Sequence, residues 1–424
     1  MKNFLIKLFE KKVFTNIKNQ EFLNISKKHN IKKLFDSFNK YSDNAELRYV
    51  GGCVRKILNN EEIDDIDLAT NLTPEEVKKC LEFNEIKYFE TGLKHGTITA
   101  NINNKNFEIT SLRKDLSSDG RHAVVEFTND WLTDSRRRDF TINSIYADIH
   151  GNLFDPFDGR EDIKNGKIKF IGDPNIRIQE DYLRILRYVR FFTNYSNQQH
   201  DPNIKKIIKQ NIHGVINLSK ERLINELKKI IFSKNFTKIL NDDFCMEIML
   251  LVFPQIKYFD FLKNPNQFTN EIIETKDFEI LISLMIVDDT DNSEYFLYKF
   301  NLSNITKQRI KFLQSINSNI ADRKFFTKDN LWKILYKYNN QNLIDIFKFK
   351  LCKSKKIDKN IVELKYFFQD KKQPIFPIKA KDIMEKYKIK ESKHLGEKLK
   401  EIENIWINNS FKISKEEIDK VVKS

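Results

Sequence analysis

The alternation of apolar and polar positions changes rhythm part-way along this chain. Residues 13 to 40 carry a helical period, and Glu46-Leu47-Arg48-Tyr49-Val50 then reads as a short strand ending at Gly51-Gly52. Val54 to Leu58 opens a helix. Strand, glycine turn and helix in that order aim backbone N–H groups at an anion. Asp64-Asp65-Ile66-Asp67-Leu68 is the next predicted strand. Thr73-Pro74-Glu75-Glu76 predicts a helix start, with Thr73 as cap, Pro74 in the first turn and Glu76 three residues after the cap. Thr97 to Ile102 and Asn106 to Thr110 alternate at period two around Asn103-Asn104, which predicts a hairpin. Mixed strands and helices thus fill roughly residues 45 to 150. From about residue 176 nearly every segment has helical periodicity with lysines on the outer face, and no internal repeat suggests a solenoid. Two prolines in Lys371-Lys372-Gln373-Pro374-Ile375-Phe376-Pro377 mark a linker before a last helical unit containing Trp406. The expected class is α+β: a mixed sheet first, helices afterwards.

At 424 residues the chain exceeds what one hydrophobic core organises, so about two to four domains are expected. Lysine and arginine outnumber aspartate and glutamate by 74 to 60, a net charge of +14 that favours a polyanionic partner. Charge alone does not choose among RNA, DNA and an acidic membrane. The four cysteines, Cys53, Cys80, Cys245 and Cys352, form no CxxC pair and have no matching histidine spacing. Neither a zinc site nor a disulfide framework is expected, and reduced thiols in a cytosolic protein are. The opening MKNFLIKLFEKKVF has an apolar run broken at Lys7 and no small-residue cleavage site, so no signal peptide is expected. No stretch approaches the ~20 apolar residues that span a bilayer. The expectation is a soluble, cytoplasmic protein without a membrane partner.

Candidate chemistry concentrates in four places. Asp65 and Asp67, two apart on a predicted strand, point to one face, and converging carboxylates call for a cation between them. Hard oxygen ligands suit Mg2+, which takes the rest of its shell from water and substrate phosphates. Capping of the next element is the other reading of the pair. Gly51-Gly52-Cys53-Val54-Arg55 is by itself only a turn, but ten residues before Asp65 it lets a triphosphate approach the backbone, with Arg55 as a fixed positive charge. Glu108, between apolar Phe107 and Ile109, is either a third carboxylate beside the aspartates or an ordinary solvent-facing glutamate. Arg136-Arg137-Arg138 runs into Asp139 and Asn143, which are four apart and share a helix face. They can hydrogen-bond a ribose while Arg138 takes phosphate oxygens, unless the arginines are a solvated charge run. Last, Asp181, Arg184 and Arg187 recur at spacing three in EDYLRILRYVRF, with Arg190 one step further. On one helix they form a polar stripe. Asp181 can accept from the exocyclic amine of cytosine or adenine while Arg184 donates to the ring nitrogen, and uracil and guanine offer a carbonyl oxygen instead. The plainer reading is an i, i+3 surface ion pair.

Taken together, GGCVRK, DDIDLAT, FEITSLR, DGRHAVVEFTNDWLTDSRRRDFTINSI, DPFDGREDI and EDYLRILRYVRF resemble the class II tRNA nucleotidyltransferases, the CCA-adding enzymes and their bacterial poly(A) polymerase relatives. The resemblance covers about residues 46 to 230, with Leu218-Ser219-Lys220-Glu221-Arg222 similar to the last shared motif. It implies a polymerase-β-like catalytic head over 1–150, a helical neck over 151–232, a body over 233–370 and a tail over 371–424 that binds tRNA. It further implies Mg2+ on Asp65 and Asp67, triphosphate on Gly52, Arg55 and Arg138, ribose on Asp139, and a nucleotide pocket at Asp181, Arg184, Arg187 and Arg190. The stretch Asp119-Gly120-Arg121-His122-Ala123 resembles the segment associated with adding the terminal A. Lys56 stands where the family often has aspartate, and His200-Asp201 lacks the companion histidines of a phosphohydrolase domain. The implied reaction is template-independent addition of CCA to the tRNA 3′ end from CTP and ATP. The alternatives are poly(A) addition and a catalytically silent RNA-binding homologue; no protein partner is expected.

Overall fold

A computed structural model describes residues 21–28, 30–63, 65–118 and 123–423. The chain divides into two compact units, Met1–Val252 and Phe253–Ser424.

The first unit is built on a seven-stranded mixed sheet of order β3-β4-β5-β2-β1-β8-β9. Its strands are β1 (Leu47–Val50), β2 (Asp67–Thr70), β3 (Lys87–Gly92), β4 (Thr97–Ile102), β5 (Lys105–Ser111), β8 (Tyr146–Ala147) and β9 (Leu153–Phe154). A separate ribbon pairs β6 (Arg113–Ser118) with β7 (Ala123–Phe127). The segment similar to the terminal-A element falls at this ribbon's tip, and 119–122 lie outside the described residues. The predicted hairpin forms: Asn103 and Asn104 take φ of 51° and 61°, the left-handed values a tight antiparallel turn needs. Its strands bury Ile98, Ala100, Phe107 and Ile109 and leave Glu108 exposed, as the alternation requires.

β2 begins at Asp67, later than the sequence suggests; Asp65 lies in the loop before it, and Asp64 is outside the described residues. Aspartate is a poor strand former, and pairing starts where Leu68, Ala69 and Thr70 can bury their side chains. The long N-terminal helical run is also interrupted. Residues 21–28 and α1 (Lys32–Tyr41) are helical, but Asn30 turns the chain with φ 55°, and residues 1–20 lie outside the description. Phe22 and Phe35 then close on Tyr49 of β1 at ring-centroid distances of 5.5 and 5.1 Å.

The unit continues through α2 (Gly52–Leu58), α3 (Pro74–Phe83), α4 (Trp131–Arg136), α5 (Gly159–Lys164), α6 (Pro174–Glu180), α7 (Leu183–Tyr195), α8 (Pro202–Asn211), α9 (Lys220–Ile231) and α10 (Asp243–Val252). The expected cap of α3 is present: Thr73 Oγ1 accepts from the Glu76 N–H and Glu76 accepts from the Thr73 N–H at 2.8 Å.

In the second unit every described regular element is a helix. Phe278–Ile286 is buried on all sides, which its nearly unbroken apolar sequence dictates. Residues 371–379 carry neither helix nor strand, and beyond them Ile383, Leu395, Ile402, Val421 and Val422 form a small core of their own. Among the described residues no helix is long and apolar enough to cross a membrane.

Candidate active site

β2 and β5 run parallel, and their register sets Asp67 directly beside Glu108. Asp65 arrives from the preceding loop, so three carboxylates gather at the start of β2. Asp67 keeps solvent-exposed surface yet has enough protein around it to be desolvated, the combination found on a cleft wall. Burial, then the negative charges of Glu108 and Asp65, hold its pKa above the usual carboxylate range, against the opposing pull of Arg138. The repulsion on Asp67 would be relieved by a cation, and carboxylate oxygens are the hard donors a divalent metal takes.

β1 leads from the sheet into the glycine turn. Gly51 has φ 68°, and a Cβ there would lie 3.6 Å from Arg138 Nη1, so the turn tolerates no larger residue without strain while the guanidinium passes over it. Gly52 is the first residue of α2.

Arg138 is fixed from behind. Its Nε donates to the Tyr146 hydroxyl at 2.9 Å and its Nη2 to Asp134 Oδ2 at 3.1 Å, while Tyr146 donates to the same carboxylate at 2.6 Å. Asp134, 1% exposed at the foot of α4, also accepts from Arg137 at 2.7 Å. Burial alone would raise the Asp134 pKa; the two arginines and Tyr146 outweigh it and hold the group far below its ordinary range. Sequence reading missed Asp134 and Tyr146. The only signal for Asp134 was its i, i+4 spacing to Arg138.

Asp139 and Asn143 do come together, though not on an α-helix. A short 3-10 turn over Thr141–Asn143 brings Asn143 Nδ2 to 2.9 Å from Asp139 Oδ1. Both are buried and already engaged: Asp139 Oδ2 accepts from Arg187 Nε at 2.5 Å, and Asn143 Oδ1 accepts from Arg55 Nη1. Arg55, Arg187 and Arg190 all lie over the Phe191 ring, at 4.8, 5.5 and 4.2 Å from its centroid. Arg190 pairs with buried Glu226 at 2.6 Å. Burial would lift the Asp139 pKa, but Arg187 and Asn143 bring it down to about 2.

The expected stripe of Asp181, Arg184 and Arg187 on one helix is not what forms. Asp181 ends α6 with extended backbone (φ −155°, ψ 100°), and α7 starts at Leu183, so only the arginines share a helix. The reason is local: Asp181 Oδ1 accepts from the Leu183 N–H at 3.2 Å, a side-chain turn that competes with the helix. Nor do Asp181 and Arg184 pair with each other. Asp181 binds Arg222 of α9 at 2.7 Å, and Arg184 binds Glu180 and the Arg177 carbonyl, both at 2.7 Å. Arg177 in turn donates to the carbonyls of Arg137 and Arg138, tying α6 to the arginine-rich turn.

Comparison with known proteins agrees with this layout. The family described as Poly A polymerase head domain matches residues 47–169, and one described as a probable RNA and SrmB binding site of polymerase A matches residues 199–259. The human CCA tRNA nucleotidyltransferase 1, mitochondrial, is 46% identical over 214 residues, 50% of this chain and 49% of that protein. The chain therefore spans about half the length of such vertebrate relatives, the Danio rerio protein included. The CCA-adding enzyme of Staphylococcus epidermidis is 31% identical over 382 residues, 87% of this chain and 92% of the enzyme. A crystal structure of the Bacillus stearothermophilus CCA-adding enzyme in complex with CTP superposes with a TM-score of 0.69 at 22% identity, covering 96% of this chain and 97% of that one, and so shares the fold. On the near full-length match to the staphylococcal enzyme, the chain belongs to the class II tRNA nucleotidyltransferases, the family of CCA-adding enzymes and poly(A) polymerases, and that membership implies dependence on a divalent metal.

Proposed function

We propose that this protein is a CCA tRNA nucleotidyltransferase, joining two CMP and one AMP to the 3′ end of tRNA from CTP and ATP with release of pyrophosphate. The observation that carries the reading is the register of Asp67 beside Glu108, with Asp65 two residues ahead, next to the Gly51 turn. Asp65 and Asp67 would hold Mg2+, with Glu108 completing the carboxylate cluster. Bound there, the metal supplies charge neutralisation and lowers the pKa of a coordinated hydroxyl.

The remaining roles fall to the chain's own groups. Gly51 and Gly52 let phosphates approach the backbone, and Arg138, braced by Asp134 and Tyr146, presents its Nη1 edge to them. Asp139, Asn143, Arg55 and Arg187 form a linked set beside the ribose and base positions, with Arg190 behind them on Glu226. Asp181 accepts from the exocyclic amine of cytosine or adenine, and Arg184 donates to the neighbouring ring nitrogen. Both rest on protein partners, Arg222 and Glu180, so a base with the correct edge is admitted by exchanging those contacts for its own.

RNA binding is assigned to the helical regions, in the proposed order of neck 151–232, body 233–370 and tail 371–424. A cavity of about 600 Å³ in the second unit is lined by Trp332 and Phe411 together with Lys328, Lys333 and Lys372, aromatic and cationic side chains of the kinds that take bases and phosphates. Cys53, Cys80, Cys245 and Cys352 are buried free thiols, which supports placing the protein in a reducing compartment, the cytoplasm.

Incubating the protein with labelled CTP, ATP, UTP or GTP and a tRNA lacking its 3′ end tests the reading. Two C and one A are expected. A long run of A would assign the chain to the poly(A)-adding branch, and no incorporation would leave it an RNA-binding homologue.

A further inference from the structure

His200, Asp242 and Cys245 come from separate places in the first unit: the loop between α7 and α8, the residue before α10, and the first turn of α10. Their ligand atoms lie within 4.8 Å of one another. His200 Nε2 is 2.8 Å from Asp242 Oδ2 and 3.7 Å from Cys245 Sγ. Its Nδ1 meets the Tyr188 hydroxyl at 3.0 Å, and the ring is stacked on Phe192 at 3.6 Å and edge-on to Phe244 at 4.8 Å. Both Asp242 oxygens face the imidazole, Oδ2 at 2.8 Å and Oδ1 at 3.1 Å from Nε2, and Oδ1 also accepts from the Cys245 N–H at 2.9 Å.

We infer that His200 Nε2, Asp242 Oδ2 and Cys245 Sγ bind one zinc ion, with water in the fourth position. Imidazole, carboxylate and thiolate are a borderline donor set that suits zinc and not the magnesium proposed for Asp65 and Asp67. With Nε2 on the metal, Nδ1–H would donate to the Tyr188 hydroxyl 3.0 Å away, which holds that tautomer. One thiolate and one carboxylate cancel the dication, and a neutral site is tolerated within the Phe192, Phe244 and Tyr188 shell. On binding, the Cys245 S–H bond breaks, an S–Zn bond forms, and the proton leaves to water. The Asp242 side chain is 25% exposed, which gives an ion a way in. The ion would staple α10 to the loop that follows α7, the helix bearing Arg184, Arg187 and Arg190, at a point chain spacing did not reveal because the donors are 42 and 45 residues apart.

The test uses the full chain purified without chelator. Elemental analysis is expected to find one zinc per chain. Cobalt(II) added to stripped protein should give a near-ultraviolet thiolate-to-cobalt band in wild type and in Cys80→Ser, and none in Cys245→Ser; cobalt on Asp65 and Asp67 has no sulfur and gives no such band. A strong zinc chelator should lower the Tm of wild type and leave that of Cys245→Ser unchanged. Asp242→Asn keeps the cap and should weaken zinc binding at least ~10-fold. Folded wild type that neither carries zinc nor develops the cobalt band overturns the assignment and leaves a metal-free network in which His200 donates to Asp242. A band that persists in Cys245→Ser overturns it equally.

Discussion

Asp67 is the residue on which the proposed chemistry turns, and its environment sets its behaviour. Asp67→Asn keeps the shape and removes the charge, so incorporation should fall by ~10³-fold, the several kcal/mol a metal-held charge supplies. Because burial and the charges of Glu108 and Asp65 raise the Asp67 pKa, ionising it costs the fold stability as pH rises through that raised value. The melting temperature of Asp67→Asn should therefore match or exceed that of wild type at neutral pH without metal. Asp139 has the opposite sign. Its pKa is depressed to about 2 from 3.8, so its contribution is complete above 3.8 and is lost as pH falls through about 2. Asp139→Asn takes from the partly exposed Arg187 its closest carboxylate and should cost roughly 2 kcal/mol at pH 7, the free energy that a pKa lowered from 3.8 to about 2 represents. That gap should narrow in thermal melts on acidification toward pH 2. At the base pocket, Asp181→Ala should reduce the preference for CTP over UTP by ~10²-fold or more, since a site built to pair the amine loses its discriminating acceptor. Unchanged selectivity in single-turnover assays would remove Asp181 from the pocket. The site was readable in the sequence wherever spacing sufficed. Alternation was enough to read Glu108 on its strand, whereas Asp65 stands in a loop instead of on the predicted strand and Asp139 meets Asn143 through a 3-10 turn instead of along a helix face. The partners Arg187 and Arg55 could not be read from spacing, since Arg187 lies 48 residues from Asp139 and Arg55 lies 88 from Asn143.

Elements were legible where local chemistry agreed with the fold. The capping box at Thr73 and the Asn103-Asn104 hairpin carry their instructions within four residues, and both form as read. Since Asn104 holds φ 61°, Asn104→Val places a β-branched residue in a conformation it avoids and should cost about 1–2 kcal/mol, measured as a lower urea midpoint at unchanged slope. Reading failed at the ends of elements. The heptad-like run from Glu180 to Arg190 conceals a break at Asp181, because the periodicity of Leu183, Leu186 and Val189 passes smoothly over it. What stops the helix is a single side-chain acceptor on the Leu183 N–H, and hydrophobic pattern is blind to that. The late start of β2 has the same character, a boundary moved by the poor strand propensity of two aspartates.

At the scale of the whole molecule, a net charge of +14 makes the proposed grip on RNA an ionic-strength question. If about six phosphates are contacted, tRNA affinity should drop by ~10³-fold between 50 and 200 mM salt, followed by filter binding or anisotropy. Replacing Lys328, Lys333 and Lys372 together by glutamine should flatten that slope and weaken tRNA binding while the Km for CTP holds. A weaker salt dependence with no change in affinity would place the RNA elsewhere. The division into a sheet-bearing region and a helical remainder was plain from the change of rhythm along the chain. Assignment of particular lysines to the nucleic acid was not, because lysine lines nearly every outer face and position alone separates the useful from the merely soluble.

Asp181 sits on a joint rather than on a rod. A carboxylate carried by an extended residue between two helices can be re-aimed by rotation about its own side-chain bonds, exchanging Arg222 for another partner, while Arg184 keeps its place in the helix. With Asp181 in the base pocket as proposed, turning that one side chain lets a single recess greet a narrow pyrimidine and then a broader purine.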